Sequence, residues 1–205
     1  PPEKFIPHLE EMGMIGELGE FVLRSASETC LRLQKEELEM PCISVNISAL
    51  QLQHPAFVEK VTQILESVGL APQSLELEIT ESVLITRYEE VQERLAELKE
   101  LGVGVALDDF GTGYSSLQYL TRYPFSKLKI DKSFVWSMET SPKDWEVIKT
   151  IILFGHSLGI RVVAEGAEHE KHVSSLQNLG CNTVQGYYHS PPVPEEEFRD
   201  FLRSV

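Results

Sequence analysis

Short β-branched runs recur along this chain with amphipathic helices between most of them, and that alternation restricts the fold more than any other feature. The runs are Cys42–Asn46, Leu75–Ile79, Val103–Asp108, Lys127–Ile130, Arg161–Ala164 and Thr183–Gln185, and each predicts a buried strand. Helices are predicted over Ile15–Leu33, Pro55–Val68, Tyr88–Leu101, Trp145–Leu158, Glu170–Leu179 and Pro194–Leu202. In the clearest of them, Tyr88–Leu101, Val91, Leu95 and Leu98 form an apolar stripe, Glu and Lys cover the other face, and Gly102 stops it. Alternating strand and helix calls for a parallel α/β sheet. An open doubly wound sheet and a barrel both fit the pattern, and six runs are two short of the eight strands of a closed (β/α) barrel.

The polar residues sit where the strands end. Asn46 closes the first run, Glu78 ends the second, Asp108 and Asp109 close the third, Lys129 sits in the fourth, Glu165 follows the fifth, and Gln185 ends the sixth. In a parallel sheet those ends share one side, so residues remote in sequence are expected to converge on one site. A single acidic residue after a strand is usually a helix cap or a solvated loop residue. A whole set of them needs a counter-charge, because buried like charges raise one another's pKa. Oxygen-only ligands, with no Cys or His at a strand end, favour Mg²⁺ or Mn²⁺ over zinc. The pair Asp108-Asp109 suits a two-metal arrangement for phosphodiester hydrolysis. Lys129, between apolar Leu128 and Ile130, is predicted to point away from them, into a lumen or against an acidic partner.

Composition excludes other classes. At 205 residues and 42% hydrophobic the chain suits one globular domain with a core, and a net charge of −14 argues against binding a nucleic-acid polymer, which takes many Lys and Arg contacts. No apolar run approaches the roughly 20 residues of a membrane helix, and Pro1-Pro2-Glu3-Lys4 does not resemble a signal peptide, so a cytoplasmic location is expected, as a free protein or as the cytosolic part of a larger membrane protein. Cys30, Cys42 and Cys181 fit neither a disulfide framework nor a zinc ribbon and are expected to be small buried hydrophobes.

Three features carry less. Gly111-Thr112-Gly113 looks like a phosphate-cradling turn but has neither standard glycine spacing, and a flexible loop reads equally well. His169 and His172, beside Glu168 and Glu170, could imitate a metal site, but they are expected to lie in the solvated first turn of a helix. Asp108-Asp109 does not fit an EF-hand loop.

Six blocks of the chain resemble, in order, the signature blocks of EAL domains. They are Val45-Asn46-Ile47-Ser48, Leu77–Ser82 (LEITES), Leu107–Ser116 (LDDFGTGYSS), Leu128–Asp131 (LKID), Val163–Glu168 (VAEGAE) and Gln185-Gly186-Tyr187. The resemblance covers essentially residues 1–205 and implies an eight-stranded TIM-type (β/α) barrel with one antiparallel strand, of which these residues lack the first two strands and the Glu-Ala-Leu motif itself. It implies hydrolysis of cyclic-di-GMP to linear pGpG with two Mg²⁺ or Mn²⁺ ions. It also implies that Asn46, Glu78 and Asp108 hold a first metal, that Asp108, Asp109 and Glu165 hold a second, and that Lys129 orients the attacking water. Glu165 has a second implied role as general base. Glu168 and Gln185 complete the surroundings of the site, and Glu81 anchors the loop of Phe110, Gly111, Thr112, Gly113, Tyr114 and Ser115, through which a homodimer is the first expectation. An upstream regulatory or GGDEF domain is common in the family. The missing strand block predicts an exposed sheet edge and weak or no activity for these residues alone. The alternative is a catalytically impaired EAL domain acting as a cyclic-di-GMP receptor or a protein-interaction module.

Overall fold

A computed structural model of the protein describes residues 2–85, 88–111 and 117–204. The chain divides into two compact units, Pro1–Val105 with Phe201–Val205, and Ala106–Asp200. The first unit contains α1 (Pro2–Glu11), α2 (Ile15–Lys35), β1 (Ile43–Asn46), α3 (Ala49–Leu52), α4 (Phe57–Val68), β2 (Leu75–Thr80), α5 (Tyr88–Leu101) and the start of β3 (Gly104–Phe110). β1 and β2 pair in parallel, with Asn46 opposite Glu78. α2 packs on α4 and β1. Gly69 stops α4 in a left-handed conformation, φ 80°, that lets its N–H and that of Leu70 both return to the Leu65 carbonyl. β2 is buried along nearly its whole length, Leu75, Leu77 and Ile79 alternating with Glu76 and Glu78. Each fully buried Leu or Ile contributes about 1.5–3 kcal/mol.

The second unit continues through α6 (Leu117–Arg122), β4 (Lys127–Ile130), α7 (Lys132–Ser137), α8 (Pro142–Ser157), β5 (Arg161–Ala164), α9 (Glu170–Asn178), β6 (Thr183–Val184) and most of α10 (Glu195–Ser204). Its strands lie in chain order, β3-β4-β5-β6, and every pair is parallel. α8 covers β4 and β5, burying Ile148 and Ile152 over a core that includes Leu128, Ile130 and Val162. A Cβ at Gly155 would lie 2.5 Å from Val162, so glycine is what lets this helix approach the sheet.

The six predicted strands and six predicted helices are all present, with ends that move by a few residues. α8 begins at Pro142 rather than Trp145 because Ser141 caps it, its hydroxyl accepting the Asp144 N–H. The short helices α3, α6 and α7 carry too few turns for their periodicity to register in sequence, and α1 contains Pro7, which breaks the helical signal. The expectation for the cysteines holds for Cys30 alone, since Cys42 and Cys181 are only half-buried. Cys181 sits in the turn before β6, which leaves one side of it uncovered.

Candidate active site

The site is built by a defect in β3. Leu107 pairs with Leu128 and Phe110 with Ile130, so two residues, Asp108 and Asp109, stand against the single Lys129. This is a β-bulge, and it cancels the alternation that would send consecutive side chains to opposite faces. Asp109 absorbs the extra residue with φ 55°, a left-handed conformation that aspartate tolerates better than most side chains. Its N–H donates to Asp108 Oδ1 at 3.0 Å.

Lys129 lies inside the resulting group. Its Nζ is 3.1 Å from Asp108 Oδ2 and 2.7 Å from Glu165 Oε1, with the ammonium side chain 6% exposed. Carboxylate oxygens of Asp108, Asp109 and Glu165 come within 4.8 Å of one another. Glu165 is brought there by its backbone, whose N–H extends the β5 ladder by donating to Ile130 at 3.1 Å. One buried cation does not neutralise three carboxylates. Burial, with Asp108 and Asp131 adding to it, pushes the Asp109 carboxyl above the usual range even though Lys129 and Lys132 pull the other way. Such a group fits a divalent ion, which would supply the missing positive charge to hard oxygen donors.

Hydrogen bonds on two sides hold the Glu165–Glu168 segment. Gln185 N–H donates to Ala164, Ala167 N–H to Gln185, and Tyr188 N–H to Ala167. Gly186 sits so close that a Cβ there would lie 2.2 Å from the Ala167 carbonyl oxygen. On the other side the Trp136 indole donates to the Gly166 carbonyl at 2.9 Å, and a Cβ on Gly166, φ 74°, would meet Lys132 at 2.5 Å. Gln185 and Glu168 both have exposed side chains. Asp131 caps α7, accepting the Ser133 N–H.

In the first unit Asn46 and Glu78 are register partners, Asn46 exposed and Glu78 buried. Glu76, two residues before Glu78 and therefore on the same face of β2, is buried as well and accepts from the Ser44 hydroxyl at 3.1 Å. Sequence reasoning passed over it, although the alternation Leu-Glu-Leu-Glu-Ile was the available signal. Glu81 is buried in a short 3₁₀ turn after β2. Of the predicted loop, Phe110 is buried and Gly111, φ 99°, lies over Phe134. Thr112, Gly113, Tyr114 and Ser115 lie outside the described residues.

One expectation is corrected. His172 is buried, 4% exposed, rather than solvated, because Glu139 from the turn after α7 closes over it and its ring packs against His169. His169 alone is exposed, as expected.

The EAL domain family profile matches residues 1–192. The chain belongs to the EAL domain family. It is 40% identical over 99% of its length to the cyclic di-GMP phosphodiesterase NbdA of Pseudomonas aeruginosa, covering 26% of that protein. It is 36% identical over its whole length to the oxygen sensor protein DosP of Escherichia coli, again 26% of that protein. The chain spans about a quarter of the length of the curated relatives it matches. The MucR phosphodiesterase in complex with c-di-GMP superposes with a TM-score of 0.91 at 39% identity, over 96% of this chain and 80% of that one. The fold is accordingly that of the TIM-like EAL structures, with parallel strands and intervening helices in each unit. Among the described residues no helix is long and apolar enough to cross a membrane.

Proposed function

We propose that this EAL domain hydrolyses cyclic-di-GMP to linear pGpG with Mg²⁺ or Mn²⁺. The observation that carries the reading is the trio Asp108, Asp109 and Glu165 gathered around the buried Lys129. Asp108, Asp109 and Glu165 would hold two ions, and Asn46 and Glu78 are assigned to the same ligand set by their motifs. When bound, the ions supply Lewis-acid charge against the phosphodiester. Lys129 orients the attacking water and opposes the charge that builds on the phosphorane, which its fixed position between Asp108 and Glu165 allows without reorganisation. Glu165 accepts the proton of that water. Glu168 and Gln185, tied to the same backbone segment, shape the surroundings. Glu81 steadies the segment after Asp109, through which two copies of the chain would associate, and an upstream regulatory or GGDEF domain and a cytoplasmic location complete the proposal.

The test is pGpG release by the metal-stripped chain with and without Mn²⁺, alongside Asp108→Asn and Glu165→Gln. Weak Mn²⁺-dependent turnover, lost in both variants, is expected. Tight cyclic-di-GMP binding without turnover in any condition would move the chain to the receptor reading, and metal-independent turnover would remove the site assignment. Sedimentation of the same samples reads the association.

A further inference from the structure

We infer that the cavity framed by α2, α3 and α4 is a binding site for a small uncharged molecule with an apolar body and one hydrogen-bond acceptor, such as a ring bearing a carbonyl. The cavity measures about 220 Å³ and lies wholly in the first unit. Its floor is apolar, with Ile15, Leu23 and Phe57 all buried, and Leu50, 50% exposed, stands at its mouth. A cavity of about 150 Å³ with a lining of this kind admits benzene. The larger space here takes a ring and a few further heavy atoms.

The polar group that calls for a guest is Gln51, which lines the cavity and is only 8% exposed. Its orientation is fixed. The Ser48 N–H donates to Gln51 Oε1 at 3.1 Å and the Gln51 N–H to the Ser48 hydroxyl at 3.3 Å, a capping box that engages the carbonyl end of the side chain and leaves the amide nitrogen on the other side. Nε2 lies over Gly19, where a Cβ would come within 1.7 Å of it, and Gly16, Glu20 and Leu23 around that position also line the cavity. Among the described residues nothing accepts from Nε2. A buried amide donor without an acceptor is costly, and native interiors almost always supply one. A ligand carbonyl supplies it here while the body of the ligand covers the apolar floor, the usual division of roles in small-molecule sites.

The charges on the lining favour a neutral guest. Lys60 is bonded to Glu20, so an anion would have to displace that carboxylate, and it would do so against a net chain charge of −14. A cation would meet the Gln51 NH₂, which offers donors and no acceptor. A neutral acceptor on an apolar body satisfies both conditions.

The experiment uses the full 205-residue chain labelled with nitrogen-15. It is titrated in turn with acetophenone, with α-methylstyrene, which keeps the shape without the acceptor, and with benzoate. Acetophenone is expected to give saturable shifts in the amides of Gly16, Gly19 and Leu23 and in the Gln51 side-chain NH₂. Its affinity should exceed that of α-methylstyrene by about three- to tenfold, as one neutral hydrogen bond gives, and benzoate should bind more weakly than acetophenone. Gln51→Glu keeps the acceptor of the capping box and replaces only the donor, so this variant should fold and lose the preference for acetophenone. Gly16→Leu adds a side chain where a Cβ meets nothing within 4 Å, and should abolish binding of both ring probes. Shifts that do not saturate, equal affinity for acetophenone and α-methylstyrene in the parent chain, benzoate as the tightest probe, or full binding in Gly16→Leu would each overturn the site. Shifts of the same amides on dilution without any probe would give the cavity to a second copy of the chain and overturn it as well. No step uses cyclic-di-GMP or turnover, so the outcome is independent of the phosphodiesterase reading.

Discussion

The second unit gathers two sets of three ionisable groups, Asp108, Asp109 and Glu165 in one and Glu139, His169 and His172 in the other, and it balances them by different means. The first set hangs from the ends of β3 and β5, on either side of β4, where a bulge and a ladder hydrogen bond fix the backbone and partial burial limits access of water. Its lysine is placed between the carboxylates. The second set hangs from a turn and a helix start, and its lysine attaches from outside, 68% exposed. Lysine in the first case is part of the packing, and in the second it is a surface partner with solvent as an alternative.

That contrast breaks first at the lysines. Lys129→Met leaves Asp108 and Glu165 without their buried partner, and the cost of such a loss is about 3–5 kcal/mol. Urea titration in chelator should show a large fall in midpoint, partly recovered by Mg²⁺, and phosphodiesterase turnover should drop by about 10²–10³. A midpoint near that of the parent chain would mean that Lys129 is not what holds the carboxylates.

Gly186→Ala tests whether the backbone around the first set is as rigid as claimed. The added methyl would strike the Ala167 carbonyl oxygen, so the strap between Gln185 and Ala167 must open, at a cost of about 2 kcal/mol. Faster amide exchange at Ala167 and Tyr188 is the expected readout. Exchange unchanged at both residues would show that the strap shifts as a body.

The pH dependence of stability sharpens the comparison, because the two sets carry opposite signs. Asp109 has a folded pKa above its unfolded value, so its ionisation destabilises the fold once pH rises through that value. Asp109→Asn should therefore be more stable than the parent at neutral pH in chelator, with the gain vanishing below the ordinary aspartate pKa of about 3.9. His172 has a folded pKa below its unfolded value, so stability is lost as pH falls from the unfolded value of about 6.5 toward the folded one. His172→Gln should lose less stability than the parent over that acid range. Thermal melts across pH 3–8 would read both slopes, and slopes of the same sign would refute the contrast.

The smallest effect belongs to Lys171→Met. An exposed ion pair of this kind is largely screened by solvent, so the melt should move little. A loss as large as that of Lys129→Met would erase the distinction between the two sets.

Much of the first set was legible in advance. Lys127–Ile130 and Arg161–Ala164 were placed to the residue because a short buried apolar run has few other options, and Lys129 between Leu128 and Ile130 pointed either into a lumen or to an acidic partner. The bulge was not legible. Two adjacent aspartates at a strand end could equally face opposite ways, and the left-handed backbone at Asp109 decides that both serve one cluster. The burial of His172 was hidden for a similar reason, since the group that covers it, Glu139, comes from a turn 33 residues earlier in the numbering of 205.

By itself the amino-acid order determined the alternation of strand and helix and the strand ends at which the carboxylates stand. These follow from periodicity and from the charge each residue carries. Tertiary structure alone decided which groups share a point in space, which of them lose water and which lysine becomes internal. Those are properties of distance and burial, and they arise only when segments remote along the chain have packed together.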